Sequence, residues 1–320
     1  RMHAKKYAEK LKTLGIKYEI ALTGGKKDWD DIYREDGLTD TFIKDCIWRG
    51  RIFKAENVKK MAYELYGWKE QVYMLESRDK KFYKIKVDLA ALTKACDGEK
   101  FRYGSDFDNF KSAATVTCIS NCLPEFLYIE RDPLVDDGQK YFFHVDMAYS
   151  KDPVLVSFES SATNDPRNFG NALLNKTPGG RFEGSATDLR ILNSRWFDKK
   201  IDYVRALPFL GYDQDTKTYV FNAFGFKNQK EYEVNSSGYV AAEDVHIKTV
   251  LKSTVFTKGV DFDQSMIHDF IKVFDLNGLA MLAFWTSTLF THQIKLELGQ
   301  MPFCELTGDH EAGKSTLVRT

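Results

Sequence analysis

Cysteine is scarce in this 320-residue chain: there are five, at positions 46, 96, 118, 122 and 304. An odd, scattered set does not make a disulfide framework and points to a reducing compartment. Only Cys118 and Cys122 share a ligand-like spacing, C-x3-C, with His144 as the nearby histidine. Half of a zinc site and two ordinary strand or loop cysteines both stay open. No secretory signal is visible. Long apolar runs are missing too. The uncharged stretch 277–294 holds Asn277, Thr286, Ser287, Thr288, Thr291, His292 and Gln293, which makes a poor lipid span and predicts a buried helix instead. Ser160, Ser161, His144 and His246 form no recognisable triad, so nucleophilic hydrolysis has no candidate here.

What is present is ordinary globular material. Hydrophobic residues at 43% and charged residues at 29% suit a soluble protein with packed cores. The length predicts about two or three domains. Aromatics at 14%, mostly Phe and Tyr, favour β-rich parts. The net charge is zero but unevenly spread. Residues 1–102 hold 24 Lys/Arg against 17 Asp/Glu, and residues 103–320 hold 22 against 29. A basic N-terminal third suits a nucleic-acid surface, and equally a solvated Lys-rich helical surface.

Residues 2–14 place Ala4, Tyr7, Leu11 and Leu14 at helical spacing, and Gly15 ends that helix. Residues 16–22 alternate apolar and polar, which predicts a strand. A turn then leads into a helix whose first turn is acidic. Helix, strand and an acid-rich loop at the strand's C-terminal end make the closing part of an α/β domain, where ligands bind. Residues 37–68 are helical in pattern, with Thr39 or Asp40 capping 41–51 and a second helix over 57–66. Arg49, Arg51, Lys54, Lys59 and Lys60 lie along them. From Glu70 the period becomes two, predicting a hairpin of 71–76 and 81–88 lined by Arg78, Lys80, Lys81, Lys84 and Lys86. Such a ribbon suits a phosphate backbone or plain solvation.

Residues 103–265 predict one mixed, β-rich domain. Its strands fall at 113–119, 125–131, 140–146, 154–158, 201–205, 208–212 and 218–224, and its helices at about 168–175 and 186–198. Asp213 to Thr216 is a hairpin turn. Helices at 263–274 and 278–294 lead to the C-terminal stretch.

That stretch carries the strongest motif. Gly308-Asp309-His310-Glu311-Ala312-Gly313-Lys314-Ser315 matches G-x-x-x-x-G-K-[ST], the phosphate-binding P-loop. The apolar run 301–306 predicts a buried strand before it, and a helix starts near Lys314. Backbone N–H groups of such a loop point inward at phosphate oxygens. Lys314 reaches the β/γ-phosphates and Ser315 holds Mg²⁺. Gly308, Gly313, Lys314, Ser315 and Thr316 are therefore the expected nucleotide-binding residues, with ATP and Mg²⁺ as cofactors. Glu311 adds a negative charge inside the loop. A P-loop ATPase also uses a further strand with a metal-binding acid and a residue that positions water. Five residues follow Ser315, so the expectation is a fragment whose ATPase core continues beyond Thr320, with negligible turnover of its own.

Lys27-Asp28-Trp29-Asp30-Asp31, following its helix and expected strand, resembles the last motif of a toprim domain, the metal-binding catalytic domain of bacterial-type primases and topoisomerases. The resemblance implies that Asp28 and Asp31 belong to a Mg²⁺ set completed by a glutamate and an Asp-x-Asp pair upstream of Arg1. A helix N-terminus that uses acids to complement its dipole is the alternative for the same residues.

Together, a toprim tail, a middle domain and a P-loop resemble the module order of a phage- or plasmid-type primase–helicase. Phe209-Leu210-Gly211-Tyr212 and Tyr219-Val220-Phe221 are similar to that family's accessory domain before the ATPase core. The resemblance implies a mixed α/β (α+β) fold in four parts. Residues 1–36 close a toprim-like domain, 37–102 form a helical linker with the basic hairpin, 103–265 form the accessory domain, and 266–320 begin the P-loop ATPase. It also implies ATP-driven unwinding of single-stranded or forked DNA by a homo-oligomeric, usually hexameric ring, RNA primer synthesis by the toprim half, no membrane, and the cytoplasm of a bacterium or phage-infected host. Two other classes stay open: a non-catalytic middle module that binds DNA or neighbouring subunits, and an unrelated P-loop NTPase such as a small kinase or defence-system ATPase.

Overall fold

A computed structural model describes residues 2–24, 28–35, 37–133, 139–198, 200–252, 263–309 and 313–319. Helices and strands are interleaved along the chain, which makes it a mixed α/β protein. It folds as two compact units, residues 1–126 with 143–199, and residues 127–142 with 200–320.

The first unit holds α1 (Met2–Thr13), α2 (Trp29–Arg34), α3 (Asp40–Lys54), α4 (Val58–Lys69), β1 (Tyr73–Arg78), β2 (Lys81–Val87), α5 (Leu89–Ala95), α6 (Phe107–Ala113) and β3 (Ala114–Ser120). It also holds the start of β4 (Cys122–Arg131) and the end of β5 (Gln139–Met147), then β6 (Val154–Glu159), α7 (Ser160–Asn164), α8 (Pro166–Lys176) and α9 (Ala186–Phe197). The helix starts follow their caps. Thr39 Oγ1 accepts from Phe42 N at 3.1 Å and Asn57 Oδ1 from Lys60 N at 2.9 Å. The α4 face buries Met61, Ala62, Tyr63, Leu65 and Tyr66 against Met74, Ile85 and Phe110. A second aromatic cluster joins Phe143, Phe158, Phe169 and Trp196, with Phe143 and Trp196 centroids 5.0 Å apart.

The predicted hairpin forms. β1 and β2 pair antiparallel from Tyr73↔Lys86 to Arg78↔Lys81, and β3 adds antiparallel to β2. Asp79 and Lys80 have φ of 51° and 59°, the left-handed pair that a two-residue turn needs to follow strand twist. Its basic side chains are largely committed within the unit. Lys84 pairs with Asp188 at 3.1 Å, Lys80 with Asp146 at 3.1 Å, and Arg78 Nη2 donates to Ala55 O at 2.6 Å. Lys86 lies 5.6 Å from the Tyr73 ring centroid.

Residues 16–22 do not form the expected strand. The segment runs extended against α3: Leu22 N donates to Cys46 O at 2.9 Å and Arg49 Nη1 to Thr23 O at 3.2 Å. The Arg51 guanidinium adds two hydrogen bonds to Glu19 Oε1, at 3.1 and 2.6 Å. Backbone polar groups need partners, and here several come from a helix instead of a strand ladder. The apolar side chains of the segment are at most partly buried, and Ile16 stays exposed.

The second unit holds β7 (Tyr203–Leu207), β8 (Gly211–Asp213), β9 (Thr218–Val220), β10 (Phe224–Lys227), β11 (Lys230–Glu233), β12 (Val240–Ala242), β13 (Val245–Thr249), α10 (Ser265–Thr288), α11 (Thr291–Leu298) and α12 (Lys314–Arg319). β7 is parallel to both β13 and the end of β4, while β8, β9, β10 and β11 make an antiparallel meander. The expected strand 218–224 is split, because Phe221 N donates to Phe224 O at 2.9 Å and closes a turn between β9 and β10. α10 breaks at Asp275, at φ 55° and ψ −164°, between the two helices predicted from the pattern. Its expected burial does not follow: only Gly278 is buried along it, because its apolar residues pack on little else among the described residues. α11 sits on the meander. His292 stacks on Tyr212 with centroids 5.9 Å apart, and Gln293 Nε2 donates to Tyr219 Oη at 2.7 Å. Among the described residues no single helix is long and apolar enough to cross a membrane; only α10 and α11 together reach that, and they are bent by 92°.

Candidate functional site

The Gly308–Ser315 motif lies in the second unit, and α12 begins at Lys314 as the motif predicts. Leu317 N donates to Gly313 O at 2.9 Å, the first bond of that helix, and the Leu317 side chain is buried. Gly313 has φ 77°, and a Cβ there would meet no atom within 4 Å. The demand for glycine is thus conformational, and the backbone is open to close approach. Lys314 Nζ donates to Gly308 O at 2.7 Å and Asp309 O at 2.6 Å, so the ammonium closes the loop onto its own first residues. An ammonium has three N–H donors; two are used on these carbonyls and one remains for an anion. Ser315 and Thr316 are exposed on the first turn of α12. These five residues are of the types that a phosphate-binding loop uses toward phosphate and Mg²⁺. His310, Glu311 and Ala312, with the charge predicted for Glu311, lie outside the described residues.

The strand expected at 301–306 is absent. Residues 301–309 carry no regular structure, and Phe303 is fully exposed. An apolar run becomes a strand only beside another strand, and none pairs with it among the described residues.

Asp28 and Asp31 lie in the first unit, where they build the start of α2. Asp28 Oδ1 accepts from Asp30 N and Asp31 N, both at 2.9 Å, and Asp31 Oδ2 accepts from Asp28 N at 3.3 Å. This is a reciprocal capping box. Asp30 pairs with Arg34 at 2.6 Å. Both carboxylates are engaged by the backbone at the start of the helix. Lys27 lies outside the described residues. Cys118 and Cys122 end on different strands: Cys118 Sγ donates to Ser120 O at 3.3 Å, and the Cys122 thiol is buried beside Ser120 Oγ at 3.5 Å. Burial pushes the Cys122 thiol up in pKa. Among the described residues no three or more His, Cys, Asp and Glu side chains converge as a metal site.

Two buried polar clusters escaped the sequence. In the first unit, Asp188 is inaccessible to solvent and accepts from Tyr73 Oη, Lys84 Nζ and Ser185. Ser185-x-x-Asp188 is a capping-box spacing that was legible; its partners, a hundred residues away, were not. Burial raises the Asp188 pKa, but the bonds from Tyr73, Ser185 and Lys84 outweigh it and the net shift is down. In the second unit, Lys248 pairs with the buried Glu130, with its ammonium 3.6 Å from the Phe142 ring centroid. The Asp188 cluster is satisfied by hydrogen bonds, whereas Glu130 Oε2 is buried with the Lys248 ion pair as its only polar contact among the described residues.

No protein-family model matches the chain, and no curated protein matches it.

Proposed function

We propose that this chain is the connecting region of a DNA-replication primase–helicase, whose parent protein unwinds DNA with ATP hydrolysis and synthesises RNA primers. The observation that carries the reading is the Gly308–Ser315 loop, with Lys314 folded over its first carbonyls at 2.7 and 2.6 Å and a helix starting at that lysine. Gly308, Gly313, Lys314, Ser315 and Thr316 hold ATP and its Mg²⁺; the nucleotide supplies the free energy for moving along DNA. Asp28 and Asp31 are the toprim part of the reading, as metal-binding acids. The DNA is single-stranded or forked, the full-length protein works as a homo-oligomeric, hexameric ring, and the setting is the cytoplasm of a bacterium or a phage-infected host.

A second reading is favoured by the capping box at Asp28 and Asp31. There the acids serve α2 alone, and the chain is a non-catalytic module that binds DNA or neighbouring subunits. The deciding experiment is single-stranded-DNA-stimulated ATP hydrolysis and primer synthesis by the full-length protein. Loss of hydrolysis in Lys314→Ala and of primers in Asp28→Asn/Asp31→Asn is expected for the primase–helicase. Hydrolysis lost with primers intact supports the second reading for the N-terminal acids. A phosphorylated small molecule as product would make the chain an unrelated P-loop kinase.

A further inference from the structure

Within the first unit, a groove of about 1350 Å³ runs between α1 with its extended continuation, the α3–α4 corner and the tip of the β1–β2 hairpin. It exceeds the roughly 300–1,000 Å³ of a small-molecule pocket. Seven cationic side chains line it against four carboxylates. Two of those carboxylates are already neutralised, Glu76 by Lys69 at 3.5 Å and Asp79 by Arg78 at 3.4 Å. Lys80 is likewise paired, with Asp146. Lys12, Lys17, Arg49 and Lys54 have no carboxylate partner among the described residues and stand against Glu9 and Glu56, which likewise have no cationic partner there, so the groove keeps an excess of two positive charges. The four cations come from two stretches of chain, residues 12–17 and 49–54, and converge on one concavity. Two aromatic rings stand with them. Lys54 Nζ lies 4.0 Å from the Tyr18 ring centroid, and the Arg49 guanidinium 5.9 Å from that of Trp68.

We propose that this groove holds a single strand of nucleic acid, with Lys12, Lys17 and Lys54 on the phosphates and Arg49 at the groove wall beside Trp68. A strand needs cations spaced along a channel and ring faces near them; the groove supplies both. A duplex would instead lie against an outward basic face. On the hairpin, Lys80 and Lys84 are tied to Asp146 and Asp188, which leaves only Lys81 and Lys86 without a carboxylate partner among the described residues. The choice of nucleic acid over another polyanion rests on the replication reading; the location of the anion site rests on the groove alone.

The test uses the 320-residue chain and fluorescein-labelled oligo(dT), read by anisotropy across a salt series, with a duplex of equal length and heparin as competitors. The groove variant is Lys12→Glu/Lys17→Glu/Lys54→Glu. The control is Lys59→Glu/Lys94→Glu/Lys111→Glu, an equal charge change at exposed positions away from the groove lining. Unchanged thermal midpoints establish that both fold. The groove variant is expected to bind oligo(dT) at least tenfold more weakly and to lower the salt slope by about two to three, at roughly one for each phosphate no longer neutralised. The control is expected to stay within about twofold. Equal losses in the two variants would overturn the groove assignment. Duplex or heparin binding as tightly as oligo(dT), with the same sensitivity to the groove variant, would overturn the single-strand assignment. Mg·ATP binding on the same samples keeps the two proposals apart: its failure sinks the P-loop reading and leaves the groove result standing.

Discussion

Gly50 of α3 and the carbonyl of Ile20 lie so close that a Cβ on Gly50 would stand 1.6 Å from the Ile20 oxygen. No side chain is compatible with that approach. Alanine is the better helix former by about 1 kcal/mol, so propensity alone predicts that Gly50→Ala stabilises α3. The close approach decides the sign the other way. Gly50→Ala is expected to lower the thermal midpoint and to free residues 16–24 from α3. Hydrogen exchange at Leu22, whose N–H is bonded to Cys46 O, reads the release directly. A variant of equal or higher stability with Leu22 still protected would show that the segment does not depend on this contact.

The Tyr73–Asp188–Lys84 cluster predicts a stability loss of about 3 kcal/mol for Asp188→Ala, since it leaves Lys84 without its buried partner and removes the N3 half of the α9 capping box. The double variant Lys84→Met/Asp188→Ala is expected to lose less than the sum of its singles. Urea denaturation of the four proteins in the cycle measures the coupling. Additivity would mean that the pair contributes nothing.

The same cluster predicts pH dependence at both ends of the scale. Burial and the bond to Asp188 push the Tyr73 hydroxyl from 10.0 up to about 12. The folded state therefore favours the neutral phenol, and this contribution is complete below pH 10 and lost as pH rises toward 12. Asp188 is shifted down, so its contribution is complete above its ordinary value of 3.8 and fades as pH falls below it. Tyr73→Phe is expected to flatten the alkaline loss of stability, and Asp188→Asn the acid one. Urea midpoints against pH test both arms, and unchanged slopes in the variants would contradict them.

In the second unit, Glu130→Gln leaves the Lys248 ammonium buried without its carboxylate. A loss of about 3 kcal/mol is expected. Adding Lys248→Met removes the stranded charge and is expected to restore part of that loss. A double variant less stable than Glu130→Gln alone would show that Lys248 matters mainly through its stacking on Phe142.

Features written in consecutive residues were legible in advance. The hairpin over Asp79 and Lys80, the cap at Thr39, the break near Asp275 and the helix start at Lys314 all follow from local pattern and local hydrogen bonding. Features needing a distant neighbour were not. Residues 16–22 and 301–306 carry strand patterns, but a strand exists only when another strand accepts its backbone bonds; one lies on α3 and the other is exposed. The split of 218–224 turns on the bond from Phe221 to Phe224, which alternation does not reveal. The same rule sorts the sites. The G-x-x-x-x-G-K-[ST] spacing was visible because its residues are adjacent. The groove was not, because Lys12, Arg49 and Lys54 gain meaning only when folding brings them to one cavity. A helix start with acids complementing its dipole was the alternative at 28–31, and the structure shows a reciprocal capping box there; a metal role for Asp28 and Asp31 requires partners that no local pattern supplies.

The central claim is that residues 308–316 bind a nucleotide through Lys314. Equilibrium binding of a fluorescent ATP analogue, with and without Mg²⁺, measures it most directly on the chain and on Lys314→Ala. Saturable, Mg²⁺-dependent binding is expected, weakened about 10- to 100-fold in the variant, since hydrogen bonds to a charged group contribute about 1.5–3 kcal/mol. Binding that is absent from the folded chain, or that survives Lys314→Ala unchanged, would contradict the account.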